Sequence, residues 1–365
     1  MTDGAGSSAG VDPDDLSGIA RLDSLAVLGA VERFPDQCRE GWAIGGAAHG
    51  LPDAGDLESV VVLGMGGSGV TGDVVRSVVE PRLALPFRTI KGYGPLPEWV
   101  GRNSLVFAIS YSGDTEETLS AFEQAQERGA RIVVVSSGGR LATRAAELGM
   151  AHLRVPPGLQ PRSSLGFLTM PVLAALQVMG LIPSLDADVR ETVGVLDEIA
   201  ARCDRARPAP GNTAKELAAR ITGRIPVVYG AEGLTATAAY RFKCDLNEYG
   251  KTPAFWHFLP ELDHNEVVGW EQLADLTSER FVAILLRDVE EHPRVALRFT
   301  VTRRLVEPRL SDIATVEAVG ESPLARLLSL IFVTQLAAIY VGLAYGVDPG
   351  PVDVIQELKS ELAQS

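Results

Sequence analysis

Cysteine is scarce in this 365-residue chain. Its three cysteines, Cys38, Cys203 and Cys244, are far apart and form no CxxC pair. This spacing excludes a disulfide framework and a cysteine-rich zinc site, and it is typical of a protein in a reducing compartment. We therefore expect a cytoplasmic protein.

Positive charge is also in the minority. The chain has 33 Lys and Arg against 47 Asp and Glu, so its formal net charge is −14. This balance argues against nucleic acid or an anionic membrane as the main partner. It does not exclude an anionic small molecule, because backbone dipoles and a few well-placed cations can hold one.

Metal-binding and membrane-targeting patterns are missing as well. There are five histidines, and no His, Asp and Glu cluster has metal-ligand spacing, so we expect neither a metal nor a cofactor. The acidic first 15 residues lack a basic or apolar stretch and predict a disordered leader, not a signal peptide. The apolar run 327–347 is long enough to cross a membrane, but Thr334, Gln335 and two tyrosines interrupt it, which favours a buried helix.

Between about residues 57 and 182 short β-rich runs alternate with helical stretches. Continuous apolar runs that each lead into a helix are typical of a parallel sheet covered on both faces. The predicted strands are 59–64, 104–110, 131–137 and 151–155, the predicted helices after the first three are 70–80, 116–129 and 140–149, and an apolar helix spans 165–181.

The pattern then begins again. Residues 224–246 repeat the strand, glycine turn and helix of 59–77, and 280–288 corresponds to 104–112. The long apolar helix in 321–343 corresponds to the one in 160–181. We therefore predict two tandem copies of one α/β fold. The predicted boundaries are a leader and helix over 1–39, a first domain over 40–203, a linker over 204–212, a second domain over 213–349 and a C-terminal helix over 350–365.

Two turns of the first copy suggest a phosphate site. "GMGGSG" (64–69) follows a strand, and such a turn can present backbone N–H groups to an anion. It matches neither the Rossmann fingerprint nor the Walker A loop. "SYSGDTEET" (110–118) carries three hydroxyls where one would cap a helix, so we expect a phosphomonoester site at the carboxyl edge of the sheet. The second copy has mostly lost these hydroxyls.

These turns, on tandem α/β copies, resemble the sugar isomerase (SIS) fold, with flavodoxin-like three-layer α/β/α domains. Three later segments, "PRSSLG" (161–166), "DLNEYGKTPAF" (245–255) and "PELDHNEVVGW" (260–270), resemble the bifunctional phosphoglucose/phosphomannose isomerase family. "GVDPGPVDVIQELKSEL" (346–362) fits it too, so the likeness covers roughly residues 40 to 362. It implies a metal-independent enzyme that interconverts fructose 6-phosphate with glucose 6-phosphate and mannose 6-phosphate.

The resemblance also implies roles for single residues. Glu248 would be the base that moves a proton between C1 and C2, Arg162 would stabilise the enediolate, and Lys359 would help to open the sugar ring. His264 would assist ring opening from the neighbouring subunit, which implies a homodimer with shared sites. The residues implied to bind the sugar phosphate are Gly67, Ser68, Ser110, Ser112 and Thr115.

General chemistry agrees with these roles. A carboxylate in dry surroundings can carry a proton between adjacent carbons, and a fixed guanidinium can stabilise the enediolate oxygens. Taken alone, however, an arginine at a helix start is usually solvated, as is a lone glutamate or a lysine on a terminal helix. Only the joint occurrence of these residues with the two turns supports the assignment. His257 and His292 lack comparable context and are expected to be structural.

The chain departs from the family pattern at several positions. Tyr249 and Gly250 follow the predicted base where smaller or amide residues are expected, Ser163 and Ser164 replace a more apolar pair, and Gly350 stands where threonine is common. Two alternatives stay open: a sugar-phosphate sensor without turnover, and an SIS isomerase for another sugar phosphate. A sensor would usually add a basic helix-turn-helix segment, which the acidic N-terminal 40 residues do not offer.

Overall fold

The computed structural model describes residues 10–362 and residue 364. These residues divide into two compact units. One unit comprises Arg33–Asp197 and Val319–Ser329 and is called the phosphate-turn unit below. The other comprises the described residues up to Glu32, Glu198–Ala318 and the residues from Leu330 onward, and is called the base unit. The domain boundaries inferred from sequence remain a prediction.

Each unit contains one parallel sheet. In the phosphate-turn unit the strand order is β2-β1-β3-β4-β5, and in the base unit it is β7-β6-β8-β9. The first order is that of flavodoxin-like folds, and the second repeats its first four positions. The strands are β1 Ser59–Leu63, β2 Phe87–Ile90, β3 Ser104–Ile109, β4 Arg131–Ser136, β5 Ala151–Arg154, β6 Ile225–Ala231, β7 Phe255–Leu259, β8 Phe281–Arg287 and β9 Asp312–Glu317.

Helices follow the strands in both units. Every residue of β1 and of β3 is buried, which requires helices on both faces of the sheet. The helices are α1 Leu16–Leu22, α2 Val27–Glu32, α3 Phe34–Gly46, α4 Gly66–Val79, α5 Glu116–Glu127, α6 Gly139–Glu147, α7 Leu165–Val178, α8 Asp186–Arg202, α9 Thr213–Ile221, α10 Leu234–Glu248, α11 Glu266–Gly269, α12 Ala274–Arg280, α13 Pro293–Val306, α14 Pro323–Ala344 and α15 Asp353–Leu362. Single 3-10 turns occur at Glu80–Arg82, Pro161–Ser163, Glu261–His264 and Glu307–Arg309.

The prediction of two tandem α/β copies with parallel sheets is confirmed. The segments paired by sequence occupy matching places. β1 and β6 are each the second strand in the order of their sheet, and in the chain they lead into helices α4 and α10. β2, β7 and β9 were not predicted from the sequence. All three lie at sheet edges, where partial exposure gives β2 and β9 mixed polar and apolar sequences, whereas β7 is short and largely aromatic.

The N-terminal segment differs from expectation. Residues 1–9 of the predicted leader lie outside the described residues. Residues 11–15, in contrast, are ordered by contacts within the base unit. The N–H of Val11 donates to the carbonyl of Leu343, and Asp14 accepts from Nζ of the buried Lys215 at 2.8 Å. Asp15 caps α1 by accepting from the N–H of Gly18. The expectation of disorder was wrong for these residues because it took no account of their charged and capping partners.

The apolar run near the C-terminus forms α14. By length and composition α14 could cross a membrane, but 94% of its most apolar window is buried inside the protein. This burial is what the sequence analysis expected of a core helix in an α/β protein.

Candidate active site

The glycine-rich turn after β1 leads directly into α4. Gly66 has a left-handed backbone, with φ +51°, and opens the helix. The preceding Met65 occupies the N-cap position and makes no side-chain capping bond. The first backbone N–H groups of α4 therefore lack a capping side chain, and the positive end of the helix dipole favours an anion there.

Gly67 brings this turn against the segment that carries Arg162. A Cβ atom on Gly67 would lie 3.0 Å from the carbonyl oxygen of Pro161 and 3.3 Å from Cα of Arg162. Arg162 is only 3% exposed, although its position at a helix start, read alone, favours a solvated arginine. The backbone of a buried arginine thus lies beside the glycine turn, and an arginine is well suited to bind an anionic substrate.

The hydroxyls of "SYSGDTEET" form one cluster at the end of β3. Oγ of Ser110 lies 2.8 Å from Oγ1 of Thr115 and 3.5 Å from Oγ of Ser112. Ser110 is buried, Thr115 is half-buried and Ser112 is exposed. The cluster therefore runs from the interior of the turn to its surface.

These hydroxyls do not cap the helix that follows them. The N-cap residue of α5 is Thr115, and its side chain makes no capping bond. Asp114 serves a different helix, since its carboxylate accepts from the N–H of Arg140 in the first turn of α6 at 3.0 Å. From the sequence, these hydroxyls could either cap α5 or bind an anion. In the structure, α5 has no side-chain cap.

Tyr111 links the parts of this region, and the sequence analysis missed it. Its N–H donates to Oγ of Ser68 at 3.3 Å, which joins the two turns. Its phenol donates to the carbonyl of Pro156 at 2.8 Å and accepts from the N–H of Leu159 at 2.9 Å. Burial raises the pKa of Tyr111, so its hydroxyl keeps the proton it donates. The only sequence signal was its position inside the hydroxyl motif.

Lys91 is a second residue that the sequence analysis missed. It follows β2 directly, and a Cβ atom on Gly69 would lie 3.2 Å from its Cε. Its ammonium group forms an ion pair with Asp73 on α4. A lysine thus lies beside the glycine turn at the carboxyl edge of the sheet. The sequence did not indicate it, because β2 was not predicted.

In the base unit, Glu248 is the last residue of α10 and lies on the wall of a cavity of about 730 Å³. The residues near Glu248 in the chain differ in their burial. Leu246 and Tyr249 are fully buried, Pro253 lines the cavity, and Glu248 itself is half-buried. The remaining lining residues are Asn247, Lys251, Thr252, Val347, Asp348, Pro351, Val352, Asp353, Val354 and Ile355.

The departures beside Glu248 have a packing reason. The hydroxyl of Tyr249 lies 3.3 Å from Nε2 of Gln335 on α14. A Cβ atom on Gly342 of α14 would lie 2.3 Å from the carbonyl oxygen of Tyr249, and one on Gly250 would lie 2.7 Å from the carbonyl oxygen of Leu246 and 3.3 Å from the side chain of Val341 on α14. Close backbone approach therefore selects glycine at both positions, and Tyr249 anchors the end of α10 to α14.

The other departures are also accommodated by neighbouring groups. Oγ of Ser164 donates to the carbonyl of Pro161 at 2.9 Å, and Ser163 is buried. A Cβ atom on Gly350 would lie 2.9 Å from the side chain of Leu25. The larger threonine would displace Leu25.

An ion pair lies on α10 one turn before Glu248. Nε and Nη2 of Arg241 contact the carboxylate oxygens of Asp245, each at 2.8 Å. Burial opposes the charge of Arg241, but the carboxylates of Asp245 and Glu248 raise the pKa of its guanidinium above the usual value. The helix that presents Glu248 therefore contains a permanently charged, paired cation.

His264 and Lys359 are both exposed. His264 ends the 3-10 turn Glu261–His264, which is fixed through Asp263, since that carboxylate accepts from Arg298 at 2.8 Å and from Thr302 at 2.7 Å. Lys359 lies on α15, whose first residues line the cavity beside Glu248. Neither His264 nor Lys359 is among the described residues that line this cavity.

Two other histidines have structural contacts. Nδ1 of His292 caps α13 by accepting from the N–H of Arg294 at 3.1 Å, and Nδ1 of His257 accepts from the N–H of Phe258 at 2.8 Å. Over residues 10–362 and 364, no group of three or more His, Cys, Asp or Glu is arranged to hold a metal ion.

Comparison with known families and proteins adds to this geometry. The model of the SIS domain matches residues 56–157, and that of the bacterial phospho-glucose isomerase C-terminal SIS domain matches residues 211–362. The first match contains both turns of the phosphate-turn unit. The second contains Glu248, His264 and Lys359.

Individual proteins are similar over most of the chain. The bifunctional phosphoglucose/phosphomannose isomerase of Caldicellulosiruptor bescii is 36% identical over 92% of this chain and 98% of its own. The protein of the same name from Aquifex aeolicus is 39% identical over 85% of this chain and 92% of its own. A glucose-6-phosphate isomerase like protein from Thermus thermophilus has a similar fold, with a TM-score of 0.60, 21% identity and coverage of 96% and 99% of the two chains.

Proposed function

Because the chain belongs to the bifunctional phosphoglucose/phosphomannose isomerase family, we propose that it interconverts fructose 6-phosphate with glucose 6-phosphate and mannose 6-phosphate. It is an aldose–ketose isomerase that acts on sugar phosphates. The observation that best supports a phosphate-bearing substrate is the packing of Gly67 against the segment of the buried Arg162, beside the cluster of hydroxyls.

In the proposed reaction the phosphate binds at the N-terminus of α4 and at Gly67, Ser68, Ser110, Ser112 and Thr115. Backbone N–H groups at a helix N-terminus and neutral hydroxyl donors suit a phosphomonoester. Lys91, in its ion pair with Asp73, lies near the same turn. This binding holds the end of the substrate that does not react, so that its binding energy orients the reacting carbons.

Glu248 is proposed to be the base. It takes the proton from C2 of the open-chain aldose, the electron pair enters the C1–C2 bond, and the former aldehyde oxygen becomes negatively charged. After a proton moves from O2 to O1, Glu248 returns its proton to C1 and the ketose forms. The guanidinium of Arg162 is proposed to stabilise the enediolate oxygens, and the reaction needs no metal or cofactor.

Ring opening is assigned to the partner's His264 together with Lys359. The anomeric hydroxyl loses a proton and the ring oxygen gains one, which histidine can mediate near neutral pH. The exposure of His264, and its position outside the cavity lining beside Glu248, support a role for it in a second copy of the chain. A homodimer, located in the cytoplasm, is also part of the proposal.

A coupled assay tests this function. Purified protein in EDTA should convert fructose 6-phosphate to glucose 6-phosphate, with mannose 6-phosphate run in parallel. Tight binding without turnover would favour the sensor, and turnover of only a different sugar phosphate would favour the other isomerase. Glu248→Gln should abolish turnover while binding is retained. The control Glu271→Gln changes an exposed glutamate of the same unit and should be fully active.

Subunit mixing tests the shared site. Inactive Glu248→Gln and His264→Ala proteins, mixed under conditions in which heterodimers form, should recover part of the activity because one intact site is restored per heterodimer. Heterodimers without activity would contradict the assignment of His264 to the partner.

A further inference from the structure

Lys251 joins the helix of the predicted base to the segment that leads into the C-terminal helix. Its Nζ donates hydrogen bonds to the carbonyl of Glu248 and to the carbonyl of Pro351. The first of these carbonyls lies at the C-terminal end of α10, and the second lies two residues before α15. One ammonium group thus bridges two parts of the chain that are 100 residues apart.

The backbone at Lys251 is unfavourable for a lysine. Its φ is +50°, in the left-handed region that glycine adopts without strain. Among the described residues only Ala26, Lys251 and Leu273 combine a positive φ with a side chain. Glycine would adopt this backbone conformation at lower energy. The presence of lysine therefore indicates that its side chain has a role at this position.

The bridge is suited to the groups that it joins. The last carbonyls of a helix lack intrahelical partners and carry the negative end of the helix dipole, so a cation is favoured beside the carbonyl of Glu248. The other end of the bridge lies in a weakly held segment, since no residue of α15 is buried. A ten-residue helix without a buried face is marginally stable alone, and its attachment points therefore determine its position.

The same residues form the wall of the cavity beside Glu248. Lys251, Pro351 and the first turn of α15 all line it. Next to it, Tyr249 and Gly250 contact Gln335 and Val341 of α14 at the end of α10. These contacts fix the end of α10. Through its hydrogen bond to Pro351, Lys251 also fixes the segment that leads into α15, the helix that carries Lys359.

We propose that Lys251 is a positioning residue: by bridging the carbonyls of Glu248 and Pro351, it sets the placement of α15, and with it Lys359, relative to the predicted base. This inference rests on the proposed function for its catalytic consequence, but the bridge itself does not. It assigns Lys251 no contact with the substrate.

Three variants test the proposal in the full-length protein. Lys251→Gly removes the bridge and at the same time relieves the backbone strain, so its melting temperature should not fall. Its kcat for fructose 6-phosphate should decrease about 10- to 100-fold, as expected for a misplaced catalytic group, while KM changes little because the phosphate-binding residues belong to the other unit. Lys251→Arg should recover part of kcat, and Lys243→Met, a matched lysine change on α10, should behave as wild type.

Hydrogen exchange measured by mass spectrometry provides a readout that is independent of activity. Lys251→Gly should increase exchange in peptides covering Asp353–Leu362 and leave those covering β1 and β3 unchanged. Unchanged exchange in α15, or increased exchange with unaltered kcat, would overturn the proposal. If the wild-type protein were no isomerase at all, the proposed function would fail, the positioning role would fall with it, and the exchange result would still decide whether the bridge holds α15.

Discussion

Arg241 and Asp245 form an ion pair within one turn of α10, with side chains that are 2% and 1% exposed. Removal of one member leaves the other charge buried without its counter-ion, which typically costs about 3–5 kcal/mol. We therefore expect Asp245→Ala to lower the free energy of unfolding by roughly that amount, measured by urea denaturation followed by circular dichroism.

Glu147→Ala is the matched control for this prediction, since it removes a carboxylate from the exposed Arg144–Glu147 pair at the same 2.8 Å distance. It should cost less than about 1 kcal/mol because water screens exposed pairs. Equal effects of the two variants would show that burial does not determine the contribution of the Arg241–Asp245 pair.

The phenol of Tyr111 gives a second prediction. Tyr111→Phe keeps the ring but leaves the carbonyl of Pro156 and the N–H of Leu159 without their partner. The loss should destabilise the protein by about 1–3 kcal/mol. Because this segment leads to Arg162, the affinity for fructose 6-phosphate, measured by calorimetry, should also fall. Tyr93→Phe, at a tyrosine that is 48% exposed, should change neither quantity.

The central features of the fold were predictable from sequence because they obey local rules. β1, β3 and β4 are buried on both faces, so their sequences are continuous apolar runs that few other structures produce. The edge strands β2 and β9 are partly exposed, and their sequences mix polar and apolar residues without a long apolar run. A continuous apolar run therefore made the central strands predictable, whereas three of the four edge strands were missed.

The candidate site was predictable only where a motif carried it. The hydroxyl cluster lies within six residues, so its members were visible together in the sequence. Tyr111, Lys91 and Lys251 act through carbonyls or carboxylates that are distant along the chain, and only the folded structure reveals these partners. The contact of the Arg162 backbone with Gly67, which lies 95 positions earlier in the chain, is likewise visible only in the folded structure.

Gly113 gives a third prediction through its close approach to another turn. Its φ is +80°, and a Cβ atom there would lie 1.9 Å from the carbonyl oxygen of Gly138. Gly113→Ala should therefore force the hydroxyl turn away from the start of α6. The free energy of unfolding should fall by about 1–2 kcal/mol because alanine disfavours the left-handed conformation, and by about 1–3 kcal/mol more because of the steric conflict. Binding of fructose 6-phosphate should also weaken.

Gly149→Ala separates these two contributions. Gly149 also has a positive φ, +63°, but a Cβ atom there would meet nothing within 4 Å. This variant should show only the backbone contribution and normal substrate affinity. If both variants lost stability equally and bound substrate normally, the contact between the turns would have no role in the site.

His152 makes the stability of the protein depend on pH above the range in which carboxylates titrate. Burial lowers its pKa below the ordinary 6.5, although the hydrogen bond with Ser136 acts in the opposite direction. The unfolded chain therefore binds a proton near pH 6.5 that the folded chain does not yet bind. Stability should fall as pH decreases from 6.5 towards the folded-state pKa, and should be unaffected by this group at higher pH.

Replacement of this histidine tests the assignment. In His152→Gln the group no longer titrates, and the amide can still bond with Oγ of Ser136, which lies 2.9 Å from Nε2 in the wild-type protein. The melting temperature of the variant should therefore fall less between pH 7.5 and pH 5.5 than that of the wild type. His49→Gln, at an exposed histidine of the same unit, should leave the wild-type dependence intact. An unchanged decline in His152→Gln would assign the pH dependence in this range to other groups.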